Sequence, residues 1–130
     1  MRSAGILAII AALDSQTAFA DVVRHATIPD SIRATWAASA EDCDANKSVI
    51  VLSAKTYVSS ETNCTIGPVS ETPGQRGPMY STRMQCSNGT ARPQRTTPNL
   101  VISPTDANHL SAGPDLDHLT TYQRCPPNKK

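Results

Sequence analysis

The stretch that decides the fold is NCTIGPVSETPGQRGPMYSTRMQCS, residues 63–87. Two apolar or alternating runs, 63–70 and 79–87, flank the segment Pro73-Gly74-Gln75-Arg76-Gly77, whose residue types favour a turn. The stretch therefore predicts a β-hairpin centred on Gln75. In such a hairpin the following pairs lie opposite one another: Cys64 and Cys86, Ile66 and Met84, Ser70 and Tyr80.

Alternation along the second strand agrees with this register. From Tyr80 to Cys86 the even-numbered positions are the less polar ones, so they should share one face of the sheet. Directly opposed residues of an antiparallel pair come close enough for a disulfide. Four cysteines allow three pairings, and a Cys64–Cys86 bond leaves Cys43 to pair with Cys125. A zinc site is the competing use, but the chain has no Cys-x-x-Cys pair.

The rest of the chain has a similar β texture. Ten prolines and six glycines interrupt helical periodicity, except for a single helical turn at 29–34. Other strands are predicted at 35–38, 48–53, 56–59, 100–103 and 116–125, with a weak one at 109–111. We therefore expect an all-β domain: a small antiparallel meander barrel or strongly curled sheet of seven to eight short strands, with two disulfides. Strands this short predict an interior filled by side chains.

The N-terminal residues are typical of a secretory signal peptide. Met1-Arg2 is a positive start, 5–13 is apolar, and Ala18-Phe19-Ala20 resembles a cleavage site. An apolar run of about nine residues is shorter than the roughly 20 that a membrane span needs. The predicted organisation is a signal peptide at 1–20, an N-terminal tail with a helical turn at 21–33, one β domain at 34–126 and a disordered tail at 127–130. A secreted or periplasmic location follows, where disulfides form.

Charge is balanced overall but uneven along the chain. A formal net charge of +1 indicates neither nucleic acid nor an anionic membrane as a partner. Residues 72–105 nevertheless contain four arginines and no acid. These candidate binding residues, in or near the loops 73–78 and 89–98 that we place at one barrel end, are Arg76, Arg83, Arg92 and Arg95. The alternative is an ordinary solvated face.

Two histidines follow acidic residues closely. His109 comes three residues after Asp106, and His118 follows Asp115 and Asp117, so either could act as an acid-oriented base in a small hydrolase. Exposed turn residues are the alternative, because Asp side chains cap their own backbone. A metal site built from the second group would need ligands from elsewhere. We predict no catalytic residue, no metal and no cofactor, and we expect His25 to be a solvated loop or strand-edge residue in the N-terminal tail.

The segment Ala34-Thr35-Trp36 resembles the Gly-x-Trp start of lipocalin-like barrels, with Ala34 in place of the usual Gly. In those barrels an Arg near the end of the last strand packs over the Trp and closes the base, which implies that role for Arg124. The pattern from Ile28 to Pro126 is similar to that of small exported proteobacterial proteins with no assigned activity. It is more distantly similar to periplasmic protease inhibitors of the Inh type and to lysozyme inhibitors.

These observations predict an exported, non-enzymatic and monomeric binding module. The expected partner is an unknown protein or envelope component, and inhibition of a hydrolase is one such role. The alternatives are a small-ligand-binding, lipocalin-like barrel and a small secreted hydrolase that uses His109 or His118. Neither a nucleic-acid partner nor a membrane span is expected.

Overall fold

The structure, a computed structural model, describes residues 22–88 and 95–127, together with Gly5. Apart from Gly5, the predicted signal peptide at 1–20 lies outside the described residues, as do positions 89–94 of the predicted loop, with Arg92, and the last three residues of the predicted tail. None of the helices in the described ranges has the length and hydropathy needed to cross a membrane.

Eleven strands and two short helices make up the described chain. The strands are β1 (Val23–His25), β2 (Thr35–Ala37), β3 (Val49–Leu52), β4 (Thr56–Ser59), β5 (Thr62–Ile66), β6 (Val69–Gly74), β7 (Gly77–Asn88), β8 (Arg95–Thr96), β9 (Asn99–Asp106), β10 (His109–Gly113) and β11 (Thr120–Arg124). A 3-10 helix covers Asp30–Ile32, and helix α1 covers Ala40–Ala45.

Eight of these strands form a closed antiparallel barrel. Their order is β7-β5-β4-β3-β2-β11-β10-β9, and pairing of β9 with β7 closes the ring. Strands β6 and β1 extend the sheet beyond β7. Strand β8 pairs with Cys86 and Ser87, near the C-terminal end of β7. The prediction of an all-β barrel with a short N-terminal helical turn and two disulfides is confirmed.

The central hairpin has the predicted register in one half and a register shifted by one residue in the other. Cys64 faces Cys86 and Ile66 faces Met84, as expected. The pairing of Ser70 with Tyr80 is wrong, because Glu71 lies opposite Tyr80.

A bulge explains the shift. Between the pairs Ile66–Met84 and Ser70–Ser81, three residues (67–69) lie opposite two (82 and 83), so one strand carries an extra residue there. The Thr82 hydroxyl is 3.0 Å from the carbonyl oxygen of Pro68 and 3.2 Å from that of Gly67. The extra residue changes the alternation on this strand, so that Val69 points inward and is fully buried. The hairpin turn is correspondingly tight, with only Gln75 and Arg76 between the paired Gly74 and Gly77.

The N-terminal segment covers one end of the barrel, which we call the base. Ile28 and Ile32 are buried there, and the amide of Ile28 donates to the carbonyl oxygen of Ala54 in the turn between β3 and β4. The indole Nε1 of Trp36 donates to the carbonyl oxygen of Ile32 at 3.0 Å. The apolar core therefore closes the base, and we call the opposite end the mouth.

Two local features, helix α1 and the start of β11, differ from the sequence predictions. Helix α1 was not expected, although Ser39 accepts a hydrogen bond from the amide of Asp42 as an N-cap should. Strand β11 begins only at Thr120, because Asp115 and the residues after it form a turn. His25, expected to be a solvated loop or strand-edge residue, lies in the edge strand β1 with its Nε2 3.0 Å from Glu71 Oε1.

Candidate functional site

A cavity of about 320 Å³ opens at the mouth. Three buried apolar side chains, Met84, Leu100 and Ala112, and the Cys64–Cys86 disulfide line its inner part. The barrel interior is therefore filled near the base but not at the mouth, which differs from the expectation of a filled interior. This volume lies at the lower end of the range for small-molecule sites, and such sites are usually lined by apolar side chains. The cavity is therefore our candidate site in the described structure.

Two partly buried tyrosines contribute to the cavity wall. Tyr57 and Tyr122 line the cavity, and both are half-buried against the core. Burial raises the pKa of the Tyr57 phenol above its ordinary value of 10.0, and the nearby Tyr122 raises it further. Tyr57 therefore stays a neutral hydroxyl throughout the physiological pH range, able to donate or accept a hydrogen bond.

The rim of the cavity is polar. Thr62, Asn99, His118 and Thr120 contribute to the lining there. Of the described residues that line the cavity, none is Asp, Glu, Lys or Arg. The site can therefore offer hydroxyl, amide and imidazole groups to a ligand without placing a fixed charge inside the barrel.

A short turn positions His118 at the rim. The carboxylate of Asp115 accepts from the amide of Asp117 at 2.9 Å and lies 2.7 Å from His118 Nδ1. These hydrogen bonds, led by the one to His118, lower the pKa of Asp115 below its ordinary value. The His118 side chain remains 72% exposed, so the turn holds the imidazole beside the opening and not within the cavity.

The two acid-oriented histidines lie far apart. His109 Nδ1 contacts Asp106 Oδ1 at 2.9 Å in the turn between β9 and β10, near the base, whereas His118 lies at the mouth. Among the described residues, each of these two imidazoles thus contacts a carboxylate only from its own turn. Within the described ranges, no group of three or more His, Cys, Asp or Glu side chains is arranged to hold a metal ion.

The residues predicted to close the barrel base are together. Trp36 is 1% exposed, and the guanidinium carbon of Arg124 lies 4.7 Å from the centroid of its ring. Arg124 also donates from Nε to the carbonyl oxygen of Ala107 at 2.9 Å and from Nη2 to that of Ser31 at 2.5 Å. One side chain thus links the last strand to the N-terminal segment and to the turn between β9 and β10.

Both disulfides have the pairing that the hairpin register predicts. Cys64–Cys86 joins directly opposed residues of β5 and β7, with 4.0 Å between the Cα atoms. Cys43–Cys125 joins α1 to the residue after β11, with 5.4 Å between the Cα atoms. The first bond lines the cavity, whereas the second lies outside the barrel wall beside a groove.

That groove, of about 620 Å³, is larger but offers less for binding. Its two arginines are already engaged: Arg33 Nη1 lies 2.6 Å from Asp30 Oδ1, and Arg124 is held by two carbonyl oxygens. Neither guanidinium is therefore free to act as an anion site on the outer wall.

The structure describes the side chains of only two of the four arginines that were predicted to form one binding surface. Arg76 lies exposed in the turn before β7, and Arg83 is exposed on β7 itself. Arg92 and the side chain of Arg95 lie outside the described part of the chain. The loops at 73–78 and 89–98 leave β7 at its opposite ends, so this strand of 12 residues separates them by about 36 Å if fully extended.

Sequence reasoning missed the cavity and its tyrosines, although one signal was present. In an antiparallel strand, residues two apart share a face, so the placement of Arg124 over Trp36 also directs Tyr122 and Thr120 to the inside. Comparison of the chain with protein-family models, curated proteins and solved structures finds no match.

Proposed function

We propose that this chain is an exported, non-enzymatic binding module whose site is the cavity at the mouth of the barrel. The main support for the proposal is the difference between the base and the mouth of the barrel. The base is covered by the 28–33 segment and by Arg124, whereas the mouth opens into a cavity lined by buried apolar side chains. This contrast favours a small ligand held inside the barrel over a protein partner bound through the arginines.

Export is supported by two features. Residues 1–20 have the composition of a signal peptide, and two disulfides fit an oxidising compartment. Expression with the natural N-terminus, followed by N-terminal sequencing of the extracytoplasmic protein, tests this part. We expect the mature chain to begin at Asp21, and retention of an intact Met1 on a cytoplasmic product would contradict export.

The non-enzymatic part of the proposal is supported by the placement of the histidines. A hydrolase needs a base, an orienting group and a nucleophile within reach of one substrate. Here the Asp106–His109 and Asp115–His118 pairs belong to opposite ends of the barrel. His118 is more simply explained as a polar group at the rim of a binding site.

The binding proposal is tested with N-phenyl-1-naphthylamine, a neutral dye that fluoresces when it enters an apolar site. Saturable binding of one dye per oxidised, mature chain is expected. Ala112→Phe, which adds a ring at a buried position in the cavity, should abolish it. Thr121→Phe adds the same ring at an exposed position of β11 and should leave binding unchanged. Equal binding by both variants would refute the assignment of the site.

The protein-partner alternative has its own test. If the arginines form the binding surface, then Arg76→Glu and Arg83→Glu variants should lose capture of a partner from envelope extract while they still bind the dye. Capture that is unaffected by these substitutions and lost in Ala112→Phe would instead place the partner at the mouth.

A further inference from the structure

Sulfur is concentrated on the cavity wall. Cys64, Met84 and Cys86 all line the cavity, and they are 2%, 5% and 5% exposed, respectively. Met84 is two residues from Cys86 on β7, so the two side chains share the inward face. Sulfur is polarizable and makes favourable contacts with aromatic rings. An apolar wall built in this way interacts better with an aromatic ring than with an aliphatic chain.

The two tyrosines are a second reason for the cavity to prefer an aromatic ligand. Tyr57 pairs directly with Cys64 across β4 and β5, so its ring lies beside the disulfide. Tyr122 packs against the same core from β11. Aromatic pairs gain from offset or edge-to-face packing beyond the area that they bury. A planar ligand between these side chains would have both sulfur and ring neighbours.

The volume of the cavity and the lack of charged residues among its described lining further limit the class of ligand that it can bind. A cavity of about 150 Å³ is enough for benzene, so about 320 Å³ can hold two fused rings. A charged group inside would be desolvated without a partner, because the described lining residues include no Asp, Glu, Lys or Arg. The hydroxyl and imidazole groups at the rim suit a single neutral polar substituent.

We propose that the cavity selects a neutral aromatic molecule of about two fused rings that carries one hydroxyl or amine, in preference to an aliphatic molecule of the same size. This inference rests on the proposed function, since it requires the cavity to be the binding site. It adds the chemical class of the ligand, which the barrel shape alone does not provide.

The test compares 2-naphthol with decahydro-2-naphthol by isothermal titration calorimetry on the oxidised, mature chain. The two alcohols share a ring skeleton and a hydroxyl, and hydrophobic burial alone gives the aromatic one no advantage. We expect 2-naphthol to bind about tenfold more tightly, from the combined sulfur and ring contacts. Equal affinities, or tighter binding of the saturated alcohol, would overturn the proposal.

Matched methionine variants test the sulfur contribution. Met84→Leu keeps a similar volume and should reduce the preference for 2-naphthol about threefold. Met79→Leu changes the methionine that lies against Gly74 in the hairpin, away from the cavity, and should leave the preference unchanged. An undiminished preference in Met84→Leu would contradict the role of sulfur.

Failure of the ligand class can be told apart from failure of the proposed function. If the saturated alcohol binds better and Ala112→Phe abolishes its binding, the cavity is the site but the ligand class is wrong. If the dye binds but neither alcohol does, only the ligand class fails. If neither the dye nor the alcohols bind, or if all of them bind Ala112→Phe as they bind the unsubstituted chain, the cavity is not the site and both proposals fail.

Discussion

Arg124 lies over the ring of Trp36, with 4.7 Å between the guanidinium carbon and the ring centroid. The contact joins the last barrel strand to the first, because Arg124 and Trp36 are also paired in register. A cation over an aromatic face is favourable, and here the arginine also donates to two carbonyl oxygens at the base. The same pair thus lies both where the last strand meets the first and at the covered base.

Replacement of Trp36 by Ala is expected to lower the free energy of unfolding by about 3–5 kcal/mol, because it removes a fully buried ring. The loss of stability is measured by urea denaturation monitored by circular dichroism. Tryptophan fluorescence cannot be used, because Trp36 is the single tryptophan. Trp36→Phe keeps an aromatic ring but loses the hydrogen bond to Ile32, so it should be intermediate. A stability of Trp36→Ala within experimental error of the original would show that the ring is peripheral.

Thr82 is expected to be important for the bulge. Thr82→Val keeps the shape of the side chain but removes the donor to the carbonyl oxygens of Gly67 and Pro68. Loss of an ordinary hydrogen bond costs about 0.5–1.5 kcal/mol, and we expect that loss in urea denaturation. Thr82→Ser retains the hydroxyl and should lose less. The reverse order of the two variants would contradict this role.

The central hairpin shows how far sequence alone can predict this fold. Alternation between Tyr80 and Cys86 predicted the inward face of β7. A turn centred on Gln75 predicted the register that places Cys64 opposite Cys86. The other half could not be predicted, because the extra residue at Gly67 and Pro68 is stabilised by Thr82, which is distant in sequence. Apolar alternation is a property of one strand and can be read from its sequence, whereas a bulge depends on how two strands pair.

The candidate site was harder to predict than the fold. The residues of the base carry local signals, such as the Trp36 motif and Tyr122-Gln123-Arg124. The cavity depends instead on side chains from several strands failing to fill a common volume, and on the small size of Ala112. The turn at Asp115 illustrates a similar limit, since its side-chain hydrogen bonds replaced the strand that apolar spacing had indicated.

The two disulfides are expected to have different effects on binding. In the chain-entropy estimate, loss of Cys64–Cys86, with a sequence separation of 22, costs about 3 kcal/mol, and loss of Cys43–Cys125, with a separation of 82, about 4.5 kcal/mol. Paired Cys→Ala variants measured by urea denaturation test this order. Only the Cys64→Ala/Cys86→Ala chain should lose dye binding, because only that bond lines the cavity. Equal loss in both would indicate a general effect of instability.

Alkaline pH is expected to destabilise the protein through its buried phenols. Burial raises the pKa of Tyr57 and of Tyr80, and Glu71 raises that of Tyr80 further. A raised pKa in the folded state means that the contribution to stability is complete below the ordinary value of 10.0 and is lost as the pH rises through the folded value. Urea midpoints measured between pH 8 and pH 11.5 should fall above about pH 10. In Tyr57→Phe this fall should be smaller, and an identical fall would contradict the assignment.

Gly113 connects the fold to the candidate site. It ends β10 at the mouth, and a Cβ atom there would collide with the backbone carbonyl oxygen of His118. Gly113→Ala must therefore displace the turn that carries His118. We expect a loss of about 1–3 kcal/mol, as for other overpacked positions, together with weaker dye binding. Ser111→Ala, two residues earlier on the same strand, is the control and should alter neither quantity appreciably. Unchanged dye affinity in a destabilised Gly113→Ala chain would show that the turn at 114–119 does not shape the binding site.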